Sequence, residues 1–449
     1  MWTPESAPKA GFFIHTFINW PFTGTSGLTH KVIHTPKPGF YRVFGSYAHI
    51  HSPYGGYCGL FNKFIFIKAL HHRKEVIHTM KLFCSKTELQ KSVNIVMKAV
   101  PGKTTMPILE CILIDASTND IKFTSNDMEL GIETRVQGMI LEKGIIALDA
   151  KIFSEIIRKL PDSDVTIETD EKLNTTITCE KAKFNIPGKS GEDFAYLPLI
   201  EKNDCIRVSQ FTLKEIIRQT IFSIALNENN KLMTGELFQI EDNRLRVISL
   251  DGHRISIRRV PLQESCENRK VVVPGKTLSE ISKILSGELE DMVDIYLSSN
   301  HILFEFNDTV VVSRLIEGEY FRIDQMLSSD YETKVKINKK EFLDCIDRAT
   351  LLVKEGDKKP IIINIEDGQM ELSIDSQIGS MKEDIDIEKE GKDIMIGFNP
   401  KFLIDALKVI DDEEISIYLM NPKAPCFIRD DAQQYIYLIL PVNFNAVSR

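Results

Sequence analysis

The sequence predicts an α+β protein built three times over, each unit carrying two helices on one side of antiparallel sheets. One fifteen-residue stretch recurs without a gap, as Ile146–Leu160, Val271–Leu285 and Ile396–Ile410. Its aligned lysines, Lys151, Lys276 and Lys401, stand 125 residues apart, and a fixed long period means one structural unit repeated. A second opening also recurs: short apolar runs lead into helical segments that start at Thr87, Thr212 and Lys340.

Residues 1–79 stand outside this pattern. They hold eight of the ten histidines, both tryptophans and only two acidic residues, Glu5 and Glu75. Gly, Pro and aromatics alternate there without helical or strand period, and no signal-peptide order is present. The expectation is a poorly ordered, non-homologous extension, with Met80 as the functional start. The histidines around His71-His72-Arg73-Lys74 lack the carboxylate or cysteine framework of a metal site. The expected domains are 80–205, 206–331 and 332–449.

In the first unit, Lys81–Cys84 reads as a strand and Thr87–Val100 as a helix with Leu89, Val93, Val96 and Val100 on one face. The counterparts are Cys205–Val208 with Thr212–Ala225, and Lys334–Ile337 with Lys340–Val353. Alternating or fully apolar runs follow as strands: Pro107–Asp115, Ile121–Ser125, Leu130–Val136, Leu237–Glu241, Leu245–Ser249 and Ile361–Ile365. Asn-Asp, Asp-Asn and Asp-Gly turns punctuate them.

The repeated stretch is strand, helix, strand. Apolar columns Phe153/Leu278/Leu403, Ile156/Ile281/Ala406 and Leu160/Leu285/Ile410, with Ile157, Ser282 and Leu407 in the remaining core column, follow the i, i+3, i+4, i+7 spacing of a helix with one buried face. Asp149 and Asn399 stand at N-cap positions and Pro400 at the first helical position. Strands precede it at Ile145–Leu148, Val271–Val273 and Ile394–Phe398, and follow it at Val165–Ile167, Val293–Leu297 and Ile415–Leu419. Two basic columns, Lys151/Lys276/Lys401 and Arg158/Lys283/Lys408, fall away from the apolar stripe. Glu155, Glu280 and Asp405 share that face and could pair with them, as on any solvated helix.

Composition narrows the function. The chain has 449 residues, 43% of them hydrophobic, and a formal charge of −9. Residues 1–79 carry +6 and the remainder −15, so any nucleic-acid contact must come from a local patch. Apolar runs fall short of the ~20 residues of a membrane span. Eight scattered cysteines, with no zinc spacing, read as reduced thiols of a cytosolic protein. No cofactor or metal set is expected.

Three chemical readings compete. Val273-Pro274-Gly275-Lys276-Thr277 lies between strand and helix, as a phosphate loop would, but Lys270 occupies the position of its first glycine. In Asp251-Gly252-His253-Arg254, His253 could act as a general base oriented by Asp251, although Asp-Gly is first a turn and no nucleophile accompanies it. A repeat scaffold that binds only proteins is the third reading.

From Met80 onward the chain resembles the bacterial DNA polymerase III β subunit, the replicative sliding clamp. The resemblance rests on Thr105-Met106-Pro107-Ile108-Leu109, Asn126-Asp127-Met128-Glu129, Leu250-Asp251-Gly252-His253-Arg254, Val273-Pro274-Gly275-Lys276 and Leu440-Pro441-Val442. It implies three clamp domains that close head to tail with a second chain into a ring, a homodimer around duplex DNA, with helices lining the hole. It implies a cytoplasmic, nucleoid-associated bacterial processivity factor with no catalytic site of its own. Its role would be to tether the replicative polymerase, clamp loader and repair proteins for DNA replication.

Carried over residue by residue, DNA contacts fall on Lys103, Lys151, Arg158, Lys276, Lys283, Lys401 and Lys408. The partner-peptide groove falls on Met233, Leu250, Gly252, His253, Arg254, Ile255, Phe321, Met326, Leu438, Leu440 and Val442. The dimer contact sets Leu351 and Leu352 against Phe184 and Ile186. Leu250 stands where the family often has Thr, Phe321 where Pro is usual and Gln325 where some members have Arg. DNA-facing tyrosines of some relatives are absent near Asn230-Lys231-Leu232.

Overall fold

Six helices form where the apolar spacing predicts them: α1 (Lys86–Val96), α2 (Ala150–Lys159), α3 (Gln210–Thr220), α4 (Gly275–Ile284), α5 (Lys339–Thr350) and α6 (Pro400–Leu407). The computed structural model describes residues 79–226, 230–327, 330–354 and 359–444. The expectation for the extension therefore lies, Thr79 apart, outside the described residues.

Five of the six helices begin on a side-chain cap. Ser85, Asp149, Ser209, Asn338 and Asn399 each accept a hydrogen bond from an amide of the first turn, which satisfies a donor the helix cannot. α4 starts at Pro274-Gly275 without one. Three helices stop short of expectation. α1 gives way to a 3-10 turn at Met97–Ala99 and α3 to another at Ile221–Ser223, while α5 ends at Thr350. Apolar spacing runs through such tightened turns unchanged, so it cannot mark the helix end. The expected strand Pro107–Asp115 is instead a 3-10 turn over Pro107–Glu110 followed by a strand over Cys111–Asp115. Pro107 has no amide to give a ladder.

The strands are antiparallel, and the sheets continue from one repeat into the next. A 13-stranded sheet crosses the first junction, where Leu130–Val136 pairs with Thr309–Arg314. A 9-stranded sheet crosses the second, where Arg254–Pro261 pairs with Tyr435–Ile439. A 4-stranded sheet over 361–398 completes the third repeat.

In each repeat the helix pair packs on one sheet face. Leu89, Val93, Phe153, Ile156 and Ile157 meet Ile112, Phe123 and Ile132 in the first repeat; Phe342, Ile346, Leu403 and Leu407 meet Ile361, Leu372 and Ile396 in the third. The opposite face of the second repeat's first sheet carries a separate cluster, with Leu237, Ile248, Leu250, Ile255 and Ile257 under Tyr320 and Ile323.

Several sheet edges stay unpaired among the described residues, and two of them hold the repeat counterparts of the junction strands. Residues 182–187 pair with Asn174–Cys179 on one side only, and Gly379–Asp386 with Gln369–Ser376 on one side only. These edges belong to the first and third repeats.

Candidate functional site

The basic residues expected to meet DNA are all exposed on or beside the helices. Lys103, Lys151, Lys401 and Lys408 make no ion pair among the described residues. Arg158 pairs with Glu155, and Lys283 with Glu280 at 2.8 Å. Two pairs depart from the local expectation. Lys276 reaches across the first junction to the Asp127 carboxylate, whose side chain is almost buried. Asp405 turns from the cations of its own helix to Arg254 of the second repeat, at 2.7 Å. Both partners lie far away in sequence, which no helical spacing can reveal.

The tight turn between Arg244–Leu250 and Arg254–Pro261 builds the second site. Gly252 sits at φ +88 with open space around it, so backbone conformation rather than crowding calls for glycine. The Asp251 carboxylate accepts from the His253 and Arg254 amides (2.9 and 3.1 Å) and from Arg254 Nε (3.0 Å). Asp251 thus shapes the turn and holds Arg254, while the His253 ring stacks on Phe402 at 5.9 Å. That is not the carboxylate–imidazole arrangement of a general base. Lys276, bound to Asp127 in the first turn of α4, likewise forms no phosphate cradle with Gly275.

Arg254 ties the second repeat to the third. Its Nη2 donates to the Phe222 carbonyl at 2.5 Å, and its guanidinium lies 4.6 Å from the Phe402 ring centre. Beside this tie the Leu440 amide donates to the His253 carbonyl at 2.9 Å.

Together these contacts frame an apolar cavity of about 170 Å³. Ten of the eleven residues assigned to the groove line it: Met233, Leu250, Gly252, His253, Arg254, Ile255, Phe321, Met326, Leu438 and Leu440. Val442 does not; its amide donates to the Gly397 carbonyl at 2.8 Å. Ile323, which sequence reasoning missed, completes the lining. Leu250, Ile255 and Leu438 form a buried floor, while Phe321 and Met326 stand exposed at the rim. Such a surface suits apolar side chains offered from outside.

The four residues assigned to dimer contact are not brought together within the chain. Phe184 and Ile186 lie on the unpaired 182–187 edge; Leu351 and Leu352 follow α5 in the third repeat. Leu351 is 78% exposed, a high value for an apolar residue.

The second repeat also holds a buried carboxyl, Glu236, whose two oxygens have no hydrogen-bond partner among the described residues. Burial raises its pKa to about 8. The Thr220 hydroxyl beside it donates to the Ile216 carbonyl at 2.7 Å instead. The described cysteines are free thiols, and burial pushes Cys84, Cys345 and Cys426 up to about 12. Among the described residues no His/Cys/Asp/Glu group could hold a metal ion, and no helix is long and apolar enough to cross a membrane.

Comparison with known proteins gives one answer along the chain. Residues 80–198, 207–321 and 324–443 match the models of the DNA polymerase III beta subunit's N-terminal, central and C-terminal domains. The Beta sliding clamp of Staphylococcus epidermidis is 36% identical over 361 residues, covering 78% of this chain and 96% of its own. A crystal structure from Eubacterium rectale, described as a DNA polymerase III beta subunit, is 72% identical with a TM-score of 0.80, covering 81% of this chain and 100% of its own. The DNA polymerase sliding clamp of Bacillus subtilis is 35% identical with a TM-score of 0.79, covering 82% and 100%. The chain belongs to the DNA polymerase III beta subunit family, the sliding clamps of bacterial DNA replication.

Proposed function

We propose that two copies close head to tail around duplex DNA, and that the apolar cavity at the second junction takes short peptides of the replicative polymerase, clamp loader and repair proteins. The chain then supplies grip and a docking edge rather than chemistry. Such a clamp works in the cytoplasm, on the nucleoid.

The observation that carries the ring is the pair of unpaired edges, read through the repeat. At the first junction Leu130–Thr134 lies against Thr309–Ser313, with Ile132 opposite Val311. At the second, Arg254–Arg258 lies against Tyr435–Ile439, with Ser256 opposite Tyr437. Advancing both strands by one repeat sets 379–383 of one copy against 182–186 of the next, with Met381 opposite Phe184. Leu351 and Leu352 then flank the contact, which accounts for the exposure of Leu351. Because each chain offers both of these edges, two chains close and both are paired.

The free ammonium groups of Lys103, Lys151, Lys401 and Lys408 supply phosphate contacts that read no sequence. Arg158, Lys276 and Lys283, already paired with carboxylates, contribute less.

The test is retention. The full chain is loaded by clamp loader and ATP onto nicked circular DNA, and the complex is isolated. A topological link survives high salt on circles and is lost when the DNA is linearised, since salt strips phosphate contacts but not a ring. Met381→Arg should abolish retention. Equal salt-sensitive loss from both DNA forms would overturn the ring, and full retention by Met381→Arg would overturn the strand register.

A further inference from the structure

Each repeat carries the same row of four residues across the sheet face turned away from its helices. The rows are Ile145, Asp115, Lys122, Arg135 in the first repeat; Lys270, Gln239, Arg246, Arg259 in the second; and Met395, Asn364, Glu371, Asp384 in the third. Their formal charges are +1, +3 and −2. The second row is cationic on a chain whose net charge is negative.

The fold does not require this. Like charges directly opposite in an antiparallel pair are destabilising. The first repeat, with Lys122 opposite Arg135, supplies counterions: Glu133 at 2.9 Å from Lys122 and Asp120 at 4.0 Å from Arg135. In the second repeat those two positions are Ile257 and Arg244. Asp324 holds Arg246 Nη1 at 2.9 Å, but Arg246 Nε and Nη2 are buried with no hydrogen-bond partner among the described residues. Burial, with Arg246 next, disfavours the charge on Arg259. Unmet buried donors of this kind call for an acceptor.

The row opens onto space on two sides. A pocket of about 430 Å³ lies among Gln239, Arg244, Arg246 and Arg259, with Glu241 and Asp242 at its rim. Glu241 is already bound to Lys270 at 3.1 Å. A cleft of about 660 Å³ runs from Arg246 under the 315–325 loop to Phe321 and Ile323, which also line the apolar groove. Acidic Glu317, Glu319 and Asp324 stand on its loop side. Arg246 precedes the groove residue Leu250 by four positions on one strand, a separation of about 13 Å.

We propose that this row is a second docking subsite for the partner that fills the groove, and that it takes the carboxylates of an acidic segment adjoining the partner's apolar anchors. It rests on the groove reading above. The segment would place one carboxylate against the unmet Arg246 donors and another beside Arg259, outside the apolar floor. Charge complementarity and continuity with the groove select this occupant.

The probe is a fluorescent hexapeptide with leucine and phenylalanine anchors, made plain, with five glutamates at either end, and with five glutamines as the neutral match. At low salt the glutamate extension at one end should tighten binding to the full-length clamp roughly tenfold over the glutamine one, a gain that shrinks as salt rises. In Arg246→Gln and in Arg259→Gln the gain should fall below about twofold while the plain peptide binds as before. Arg259→Gln leaves the Asp324 link intact, so loop disturbance cannot mimic the result. Equal affinity of glutamate and glutamine peptides, or a gain that survives both substitutions, would overturn the proposal. Displacement of the extension by a single-stranded oligonucleotide would reassign the row to nucleic acid and overturn it as well. Failure of the plain peptide on the wild-type chain would remove the groove reading instead; free pentaglutamate on wild type against Arg259→Gln would then decide the row alone.

Discussion

The two junctions within the chain share one backbone plan and differ in what their side chains leave open. At the first, the Arg314 amide donates to the Glu129 carbonyl at 2.8 Å; at the second, the Leu440 amide donates to the His253 carbonyl at 2.9 Å. Around this shared bond the first junction is polar and filled. Asn126 donates to the Ala195 carbonyl at 3.1 Å, and Leu197 covers Gly131, where a Cβ would meet it at 2.1 Å. The second junction has Leu250 in place of Asn126, Ile255 in place of Gly131 and Leu440 in place of Arg314, and it holds the apolar cavity. Repetition sets the framework, and the departures between copies set the site.

The largest effect should come from the tie that holds the second junction together. The equivalent of Arg254 at the first junction is Leu130, a fully buried core residue. Arg254→Ala leaves Asp251 and Asp405 partly buried without their cation and should cost about 3–5 kcal/mol in denaturant unfolding. A loss below about 1 kcal/mol would mean that the ion pairs do not brace the junction.

A smaller effect should come from Glu236, whose column holds Ile112 in the first repeat and Ile361 in the third. Below pH about 4.5 its carboxyl is protonated in folded and unfolded chains alike and costs nothing. As pH rises to about 8 the unfolded chain ionises first, so the fold loses stability across that window, and the loss is complete above it. Glu236→Gln should therefore be more stable than wild type at pH 7.5, by about 2 kcal/mol after allowing for an unsatisfied amide, and less stable than it by a similar amount near pH 4, where only the amide cost remains. Thermal melts across pH check this; a pH-independent difference would mean that Glu236 stays ionised in the fold.

Much of this architecture is legible in the sequence. The 3.6-residue spacing locates the six α-helices of the described residues, and Asp149 and Asn399 cap where their positions indicate. Local signals stop at local distances. The partners of Lys276 and Asp405 come from other repeats, and Ile323 joins the cavity only because its loop folds over the sheet. The groove draws on residues from Met233 to Leu440, so no periodicity contains it; the resemblance to sliding clamps supplied its members. The charged row on the second repeat emerges only when strand register sets Arg246 opposite Arg259.

The most direct test exchanges the residue that distinguishes the two junctions. Leu440→Arg places the first junction's side chain on the second junction's frame, and calorimetric titration with the plain anchor peptide reads the result. One peptide should bind per wild-type chain, and the substitution should weaken binding at least thirtyfold, about 2 kcal/mol, as loss of a central apolar anchor does. Unchanged affinity in Leu440→Arg, or two peptides bound per wild-type chain, would contradict the assignment of peptide binding to the second junction.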